Sequence, residues 1–573
     1  MSRMNKHPPS WGRKQGTAST QRGAALMIMM LILVLGTSWT LVNAINEASR
    51  NTVAAQQQTG DSLLLAKYAL LGYLAQQALT SDVPGKFPCP ESLSDANTTN
   101  EGTSATSCST LPAIGRFPWK TLGIDKPLDG SREALWYVVG SGVRTAPINY
   151  STTGTLNVDG SANAAVAMII APGAALDTAS SASSAPSPCV KRNQTTGRNS
   201  SPLDASDFVE CGNATMSALV TSRNDSWGND RAVTITAAEL IKAIEGVVAD
   251  RIQREVAPAI NGVSSSLTGW YKTTSLSEWG TSFFPYASTW SLPSSNDLCG
   301  NNGVTEGLLP LATGEVTSGT TCSARWTTAS ASKVGGTGSV SGVTCTANTT
   351  RMRCSFTYIN SPIVQMTTSA SNIAMGFRTR PSSTDLTFTP ASGNTVNSIT
   401  GSMNASTGAG QIVIQVKMAN RNSSGTGRIN VPHPSDSYLI NTATGSASEL
   451  KWFIDNQWHF YTYYAISPAA TANPSGTCTS SNVSNCLTLT NAEAGTGNTN
   501  DKRMALILSG RALAGQTQPS ASLNAYFEAG NDQTSSAGDR TFQRDTIGTT
   551  FNDRPSVCPF QRPTTGSANI LCD

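Results

Sequence analysis

The chain has 573 residues, of which only 13% are charged, about half the share of an ordinary soluble domain. Apolar residues at 38%, with 49 glycines, leave enough material for a core, and a net charge of +3 excludes charge-driven disorder. At roughly 100–200 residues per domain, the length predicts two to four domains.

The charge is unevenly placed. Arg3, Lys6, Arg13, Lys14 and Arg22 all precede the first acidic residue, Glu47, and the rest of the chain carries 34 bases against 36 acids. A basic, nucleic-acid-binding body is thereby excluded. Ala24 to Ile45 follows as 22 residues without a charge, enough for one helical span of a bilayer. Bases before the span, and none after it until Arg50, predict a cytoplasmic N-terminus and an exported body. Val42-Asn43-Ala44 before Ile45 also satisfies the small-residue rule of a cleaved secretory signal, and an uncleaved anchor is a third reading.

Gln21-Arg22-Gly23-Ala24-Ala25-Leu26, followed at once by the apolar run, resembles the cleavage region of type IV pilin-like proteins, in particular the PilX-type minor pilins and the K-type pseudopilins. The resemblance implies cleavage between Gly23 and Ala24 by a prepilin peptidase. It also implies a single-pass inner-membrane protein whose N-terminal helix packs against other pilin or pseudopilin subunits, with an extracytoplasmic body presented in a filament at the cell surface. Counted from Ala24, the fifth residue is Ile28, where major pilins carry a glutamate, and Ala24 replaces their phenylalanine. The missing glutamate points to a minor or tip subunit.

Beyond the span, Glu47 to Gln58 contains no Gly or Pro. Asp61 to Leu79 reads as helix, with Leu64, Tyr68, Leu71 and Ala75 on one face and Leu63, Leu70 and Leu74 beside it. The prediction is a helix of over 50 residues, interrupted near Gly60.

Matches within the chain then recur in order. Gly115-Arg116-Phe117-Pro118 parallels Gly307-Leu308-Leu309-Pro310, and Trp136-Tyr137 parallels Tyr463-Tyr464. Val166–Ile170 parallels Met504–Leu508, Phe208–Asn213 (FVECGN) parallels Tyr526–Asn531 (YFEAGN), and Asn229-Asp230-Arg231 parallels Asn552-Asp553-Arg554. The second copy opens on Thr236-Ala237-Ala238-Glu239, a capping box, followed by the stripe Leu240, Ile241, Ile244, Val248 and Ile252, with Pro258 at the expected end. Between its landmarks lies a Ser/Thr/Gly-rich insertion with period-two alternation at Met352–Tyr358 and at Ile412, Ile414, Val416 and Met418. Being unrepeated, it is the expected place for a ligand or partner surface.

Twelve cysteines fall into six successive pairs: Cys89 and Cys108, Cys189 and Cys211, Cys299 and Cys322, Cys345 and Cys354, Cys478 and Cys486, Cys558 and Cys572. Without any Cys-x-x-Cys, the even count predicts disulfides in an oxidising compartment, with sequential pairing as the simplest connectivity.

Chemistry finds little material. The three histidines are His7 in the leader, His433 in a Pro-flanked loop and His459 in a Trp/Phe-rich strand; no nucleophile elbow or phosphate loop is present. No enzyme and no cofactor are expected. Asp532, Asp539, Asp545 and Asp553 are weak calcium candidates, their spacing matching no EF-hand. Trp452, Phe453, Trp458, Phe460, Tyr461, Tyr463 and Tyr464 read as a buried central strand rather than a sugar platform.

The resulting expectation is an α+β protein: a leader over 1–23, a transmembrane pilin-like helix over 24–60, a first α+β unit over 61–235, a second unit over 236–322 and 449–573 repeating the first, and an inserted β-sandwich-like module over 323–448. The expected role is structural, in a type IV pilus or type II secretion filament. The alternative is a secreted or membrane-anchored adhesin without a filament role.

Overall fold

The computed structural model describes residues 21–257, 287–288, 290, 304–309, 315–316, 322–323, 326–347, 351–370, 392–404, 409–432, 450–470, 478, 483–491, 499–528, 530–532 and 540–559. It is a long N-terminal helix followed by a mostly β-sheet body.

Helix α1 spans Gln21–Ala78, 58 residues, without the expected break at Gly60. A single exposed glycine costs a helix only about 1 kcal/mol, and tertiary contacts hold this stretch on both sides of it. Thr59 Oγ1 donates to the Ala55 carbonyl at 2.9 Å and accepts from the backbone N–H of Gly130, also at 2.9 Å. Three residues on, Ser62 Oγ donates to the Leu128 carbonyl. A Cβ on Gly130 would stand 2.1 Å from the Ala55 carbonyl oxygen, so glycine is what lets this loop lie on the helix.

The buried face of α1 is Leu63, Ala66, Leu70, Leu74 and Ala78. Leu64 and Tyr68, expected to lead the packed stripe, are 46% and 66% exposed. The spacing of apolar residues around this segment permits either face. Packing selects the one in which small Ala66 and Ala78 let neighbouring backbones approach.

The first sheet is antiparallel, in the order β1 (Ala113–Arg116), β2 (Trp136–Val139), β5 (Ala167–Ala171), β6 (Arg231–Ile235), with a separate hairpin of β3 (Leu156–Val158) and β4 (Ser161–Ala165). Both faces of β2 are buried. Tyr137 and Val139 enter the main core with α1, whereas Trp136 and Val138 pack with Phe208, Val209 and Leu219 on the far side. Two short helices, α2 (Gln194–Gly197) and α3 (Cys211–Thr215), lie in the segment between β5 and β6.

Helix α4 (Ala237–Arg251) begins at the expected capping box: Glu239 N–H donates to Thr236 Oγ1, and Thr236 N–H to Glu239 Oε2. Its predicted stripe is buried, and Lys67 of α1 pairs with Glu239 at 2.6 Å. It continues as a π-helical turn through Val256; Pro258 lies outside the described residues.

The second sheet joins β7 (Glu306–Leu308), β17 (Thr462–Ile466), β19 (Thr499–Leu508), β18 (Leu487–Asn491) and β20 (Thr541–Arg544), with β21 (Arg554–Pro559) also paired to β19. Between β7 and β17 come a small ladder, β8 (Glu315–Val316) with β9 (Cys322–Ser323), and two larger sheets. One is β10 (Trp326–Gly336), β13 (Pro362–Ala370), β15 (Ala409–Lys417) and β14 (Thr395–Asn404); the other is β11 (Ser339–Ala347), β12 (Arg351–Asn360) and β16 (Arg421–Pro432). Alternating residues Cys354, Phe356 and Tyr358 of one, and Val364, Met366, Ile414 and Val416 of the other, are buried. The main core is contiguous from α1 through α4 to β17, β19 and this inserted segment.

Candidate functional site

Two features of the chain are candidates for function: the bare half of α1, and a buried polar network present once beside each of the two main sheets. Along α1, every large apolar residue from Met27 to Ile45 is exposed, between 52% and 74%. The helix is long and apolar enough to cross a membrane. Arg22, Gly23 and Ala24, expected at the cleavage site, lie on α1.

The network is built after β5. The backbone N–H of Leu176 donates to Gln194 Oε1 (2.9 Å), and Gln194 Nε2 donates to Glu210 Oε1 (2.7 Å). Glu210 Oε2 accepts from the Asn229 backbone N–H (3.1 Å), while the Glu210 backbone N–H donates to Asp230 Oδ2 (3.0 Å). Asn213 Nδ2 donates to the same Asp230 oxygen (3.0 Å) and Asn213 Oδ1 accepts from Val220 N–H (2.8 Å). Finally, Asn229 Nδ2 donates to the Ala174 carbonyl (2.9 Å).

After β19 the same atoms meet in the same roles. Leu513 N–H donates to Gln516 Oε1 (2.8 Å), and Gln516 Nε2 to Glu528 Oε1 (3.1 Å). Asn552 N–H donates to Glu528 Oε2 (2.9 Å), and Glu528 N–H to Asp553 Oδ2 (3.1 Å). Asn531 Nδ2 donates to Asp553 Oδ2 (3.0 Å), Asn531 Oδ1 accepts from Gln543 N–H (2.8 Å), and Asn552 Nδ2 donates to the Arg511 carbonyl (2.7 Å).

Strand registers agree with this correspondence and move one alignment. Trp136 lies opposite Ile170, and Tyr463 opposite Ile507; Arg231 lies opposite Ala171, and Arg554 opposite Leu508. Ile170 therefore corresponds to Ile507, not to Leu508 as the apolar match suggests. A slip of one residue would exchange the two faces of the strand, which an all-apolar string cannot reveal.

Each network contains a carboxyl pair. Burial, with the neighbouring Glu210 carboxylate, raises the Asp230 pKa well above the ordinary aspartate value, and burial raises that of Glu210 too. Asp553 is raised well above its ordinary value in the same way, by burial and Glu528. Two carboxylates this close and this desolvated do not both ionise. In each pair the glutamate accepts from a backbone N–H group and from a glutamine amide. Sequence matching singles out Glu210, Asn213, Asn229 and Asp230 with their counterparts. It misses Gln194 and Gln516, which follow their leucines by 18 and 3 positions respectively.

This arrangement bears on the calcium candidates. Asp553 is 1% exposed, one of its oxygens already accepts two N–H groups, and burial raises its pKa; a carboxyl so enclosed is a poor ligand for a hard cation. Asp545 accepts from Thr546 N–H and Gln543 Nε2, and Asp532 donates its backbone N–H to the Glu528 carbonyl. Asp539 lies outside the described residues. Among the described residues, no three His, Cys, Asp or Glu side chains converge as metal ligands would.

Four of the expected disulfides are present: Cys89–Cys108, Cys189–Cys211, Cys345–Cys354 and Cys478–Cys486. Cys345 and Cys354 sit directly opposite one another on β11 and β12. Of the other two expected pairs, Cys299 and Cys572 lie outside the described residues, Cys322 is in β9 and Cys558 in β21.

The aromatic run is buried as expected but is not one strand. Trp452 and Phe453 lie on the helix Lys451–Asp455, Trp458 to Tyr461 form a 3₁₀ turn, and only Tyr463 and Tyr464 are on β17. Gln457, at positive φ, separates the first two pieces. His459 is in the turn, fully buried, with its ring 4.1 Å from Phe460; burial pushes its pKa down to about 4, so it is neutral. His7 and His433 lie outside the described residues. Comparison with protein-family models, characterised proteins and solved structures finds no match.

Proposed function

We propose that the protein is a minor pilin or pseudopilin-like structural component of a bacterial type IV pilus or type II secretion filament, helping assembly or presenting a large extracytoplasmic head. The observation that carries this reading is α1 itself: one unbroken helix whose first half is apolar and bare and whose second half is packed into the body. A helix apolar on all sides is a lipid-facing or partner-facing element, because in water so much exposed apolar surface drives association. In this reading the prepilin peptidase cuts after Gly23 in the inner membrane, Ala24–Ile45 anchors the chain, and the same segment packs laterally on neighbouring subunits. Ile28 in place of a glutamate suits a minor or tip position.

The body fits a head made by duplication of one α+β unit, the second copy having accepted a β-sandwich-like module between β7 and β17. Support comes from the seven matching hydrogen bonds and from strand registers that agree with them. The disulfides suit an oxidising compartment outside the cytoplasm.

N-terminal sequencing of the mature protein tests the proposal. A start at Ala24 is expected. A start at Ile45 would remove the bare apolar half of α1 from the mature chain and overturn the filament role in favour of a secreted binding protein.

A further inference from the structure

The two networks differ in what surrounds them. After β19, Gln516 follows Leu513 by three positions; after β5, the chain inserts a loop between Leu176 and Gln194 and pins it with the Cys189–Cys211 disulfide. That loop walls a small recess of about 40 Å³, open to solvent on one side. Its sides are apolar, formed by Leu176, Pro188, Val190, Val209 and Trp227. The buried polar side chains lining it are Thr178, Gln194 and Glu210, 7%, 3% and 7% exposed. Val190, at the rim, is 58% exposed.

Glu210 is the acidic side chain that lines this recess. Arg192 also lines it, but Asp207 accepts from its Nε at 2.6 Å and Asp204 lies 3.8 Å from its NH1. Arg198, near Glu210, is paired with Glu133 at 3.0 Å. Glu210, whose two oxygens accept from Gln194 Nε2 and the Asn229 N–H, remains as the acid in a largely apolar recess that Trp227 also lines. Such a recess is poorly matched to an anion or to a purely aliphatic group. It suits a cation that brings its own apolar stem, with the aromatic face adding a cation–π attraction.

We propose that this pocket binds a primary ammonium group on an apolar stem, the chemistry of a lysine side chain or a simple alkylamine, with Glu210 and Trp227 receiving the head and the loop walls receiving the stem. The inserted loop and its disulfide then have a purpose that the second network, without them, does not share.

The test uses the full-length protein in detergent micelles, labelled with 5-fluorotryptophan, with Trp227→Phe assigning the Trp227 resonance. N-acetyl-lysine methylamide and n-butylammonium are each titrated against their uncharged counterparts, N-acetyl-norleucine methylamide and n-butanol. The Trp227 signal is expected to shift saturably with the amines and at least about tenfold more weakly with the neutral analogues. Tighter binding of the lysine derivative assigns the site to a partner protein; tighter binding of butylammonium assigns it to a free amine. Glu210→Gln is expected to erase the preference for the amines. Val190→Lys, at an exposed rim position that leaves the network intact, is expected to block the site without lowering the melting temperature. Equal binding of charged and neutral probes, or no movement of the Trp227 signal with either amine, would overturn the proposal.

Discussion

Arg251, in the last turn of α4, lies with its guanidinium 4.2 Å over the ring of Trp452, 201 positions further along the chain. The same guanidinium donates to the carbonyls of Ala78 and Ser81, where α1 ends, and its Nε is held by Glu255. Trp452 Nε1 donates to Glu255 at 2.6 Å, closing the group. One buried cation thus satisfies the carbonyls that a helix end leaves unpaired and ties α1, α4 and the segment before β17 together. Replacing it with alanine removes several charge-assisted hydrogen bonds and the ring contact, and leaves Glu255 with the Trp452 indole but without its cation. A loss of about 3 kcal/mol is expected for Arg251→Ala, with Arg251→Lys in between because a point charge cannot serve all these partners. Denaturant titration of the detergent-solubilised protein measures it, and a loss under about 1 kcal/mol would show that the contact carries no weight.

The carboxyl pairs make stability depend on pH in a defined direction. Asp230 and Asp553 have folded pKa values raised above the unfolded value of about 4. The folded chain therefore binds more protons than the unfolded chain once pH exceeds that value, and stability falls as pH rises. The contribution is complete below about pH 4 and diminishes up to the raised values. Asp230→Asn with Asp553→Asn keeps the shape and the uncharged state, so the double variant should lose less stability than the parent between pH 5 and pH 8. Parallel denaturation curves at the two pH values check this; equal losses would mean that the aspartates do not hold the protons.

Gly130 has a role that its dihedral angles do not announce. Its φ is not positive, yet a Cβ there would collide with the Ala55 carbonyl, a backbone atom that cannot step aside without moving α1. Gly130→Ala is expected to cost about 1–3 kcal/mol, as overpacking does, and to expose the helix around Thr59 to protease. Thr59→Val, which removes only the two hydrogen bonds of the hydroxyl, should cost about 1–2 kcal/mol. A Gly130→Ala protein as stable as the parent would place the loop elsewhere.

What the amino-acid sequence discloses here follows the range of the interaction. The Thr236–Glu239 cap, the α4 stripe and the hairpin disulfide Cys345–Cys354 are local, and each is legible from spacing alone. The continuity of α1 through Gly60 is not, because it is held by Gly130 and Leu128 some 66 to 75 positions away. The repeated E-x-x-N and N-D-R strings are visible, but their meaning is not. Asp553 reads as a surface turn residue or metal ligand until Glu528 and Asn531 close around it. Gln194 and Gln516 escape alignment because the loop between Leu176 and Gln194 has no counterpart of similar length, and spacing is all that a search for motifs can use.

The two faces of α1 separate folding from association. Leu70 is fully buried, whereas Leu65 and Tyr68 are 51% and 66% exposed on the opposite side and continue the apolar surface of the first half of the helix into the level of the body. A charge at Leu70 enters the core, so Leu70→Glu should cost at least about 3 kcal/mol and abolish accumulation of the protein. Charges at Leu65 or Tyr68 touch no buried group, and Leu65→Glu or Tyr68→Glu should alter stability by no more than about 0.5 kcal/mol. If α1 packs on neighbouring helices, those same two variants should accumulate normally yet fail to co-purify with sheared filaments. Normal incorporation of both would confine any association to the segment before Ile45. A stability loss as large as that of Leu70→Glu would mean instead that this face is covered within the molecule.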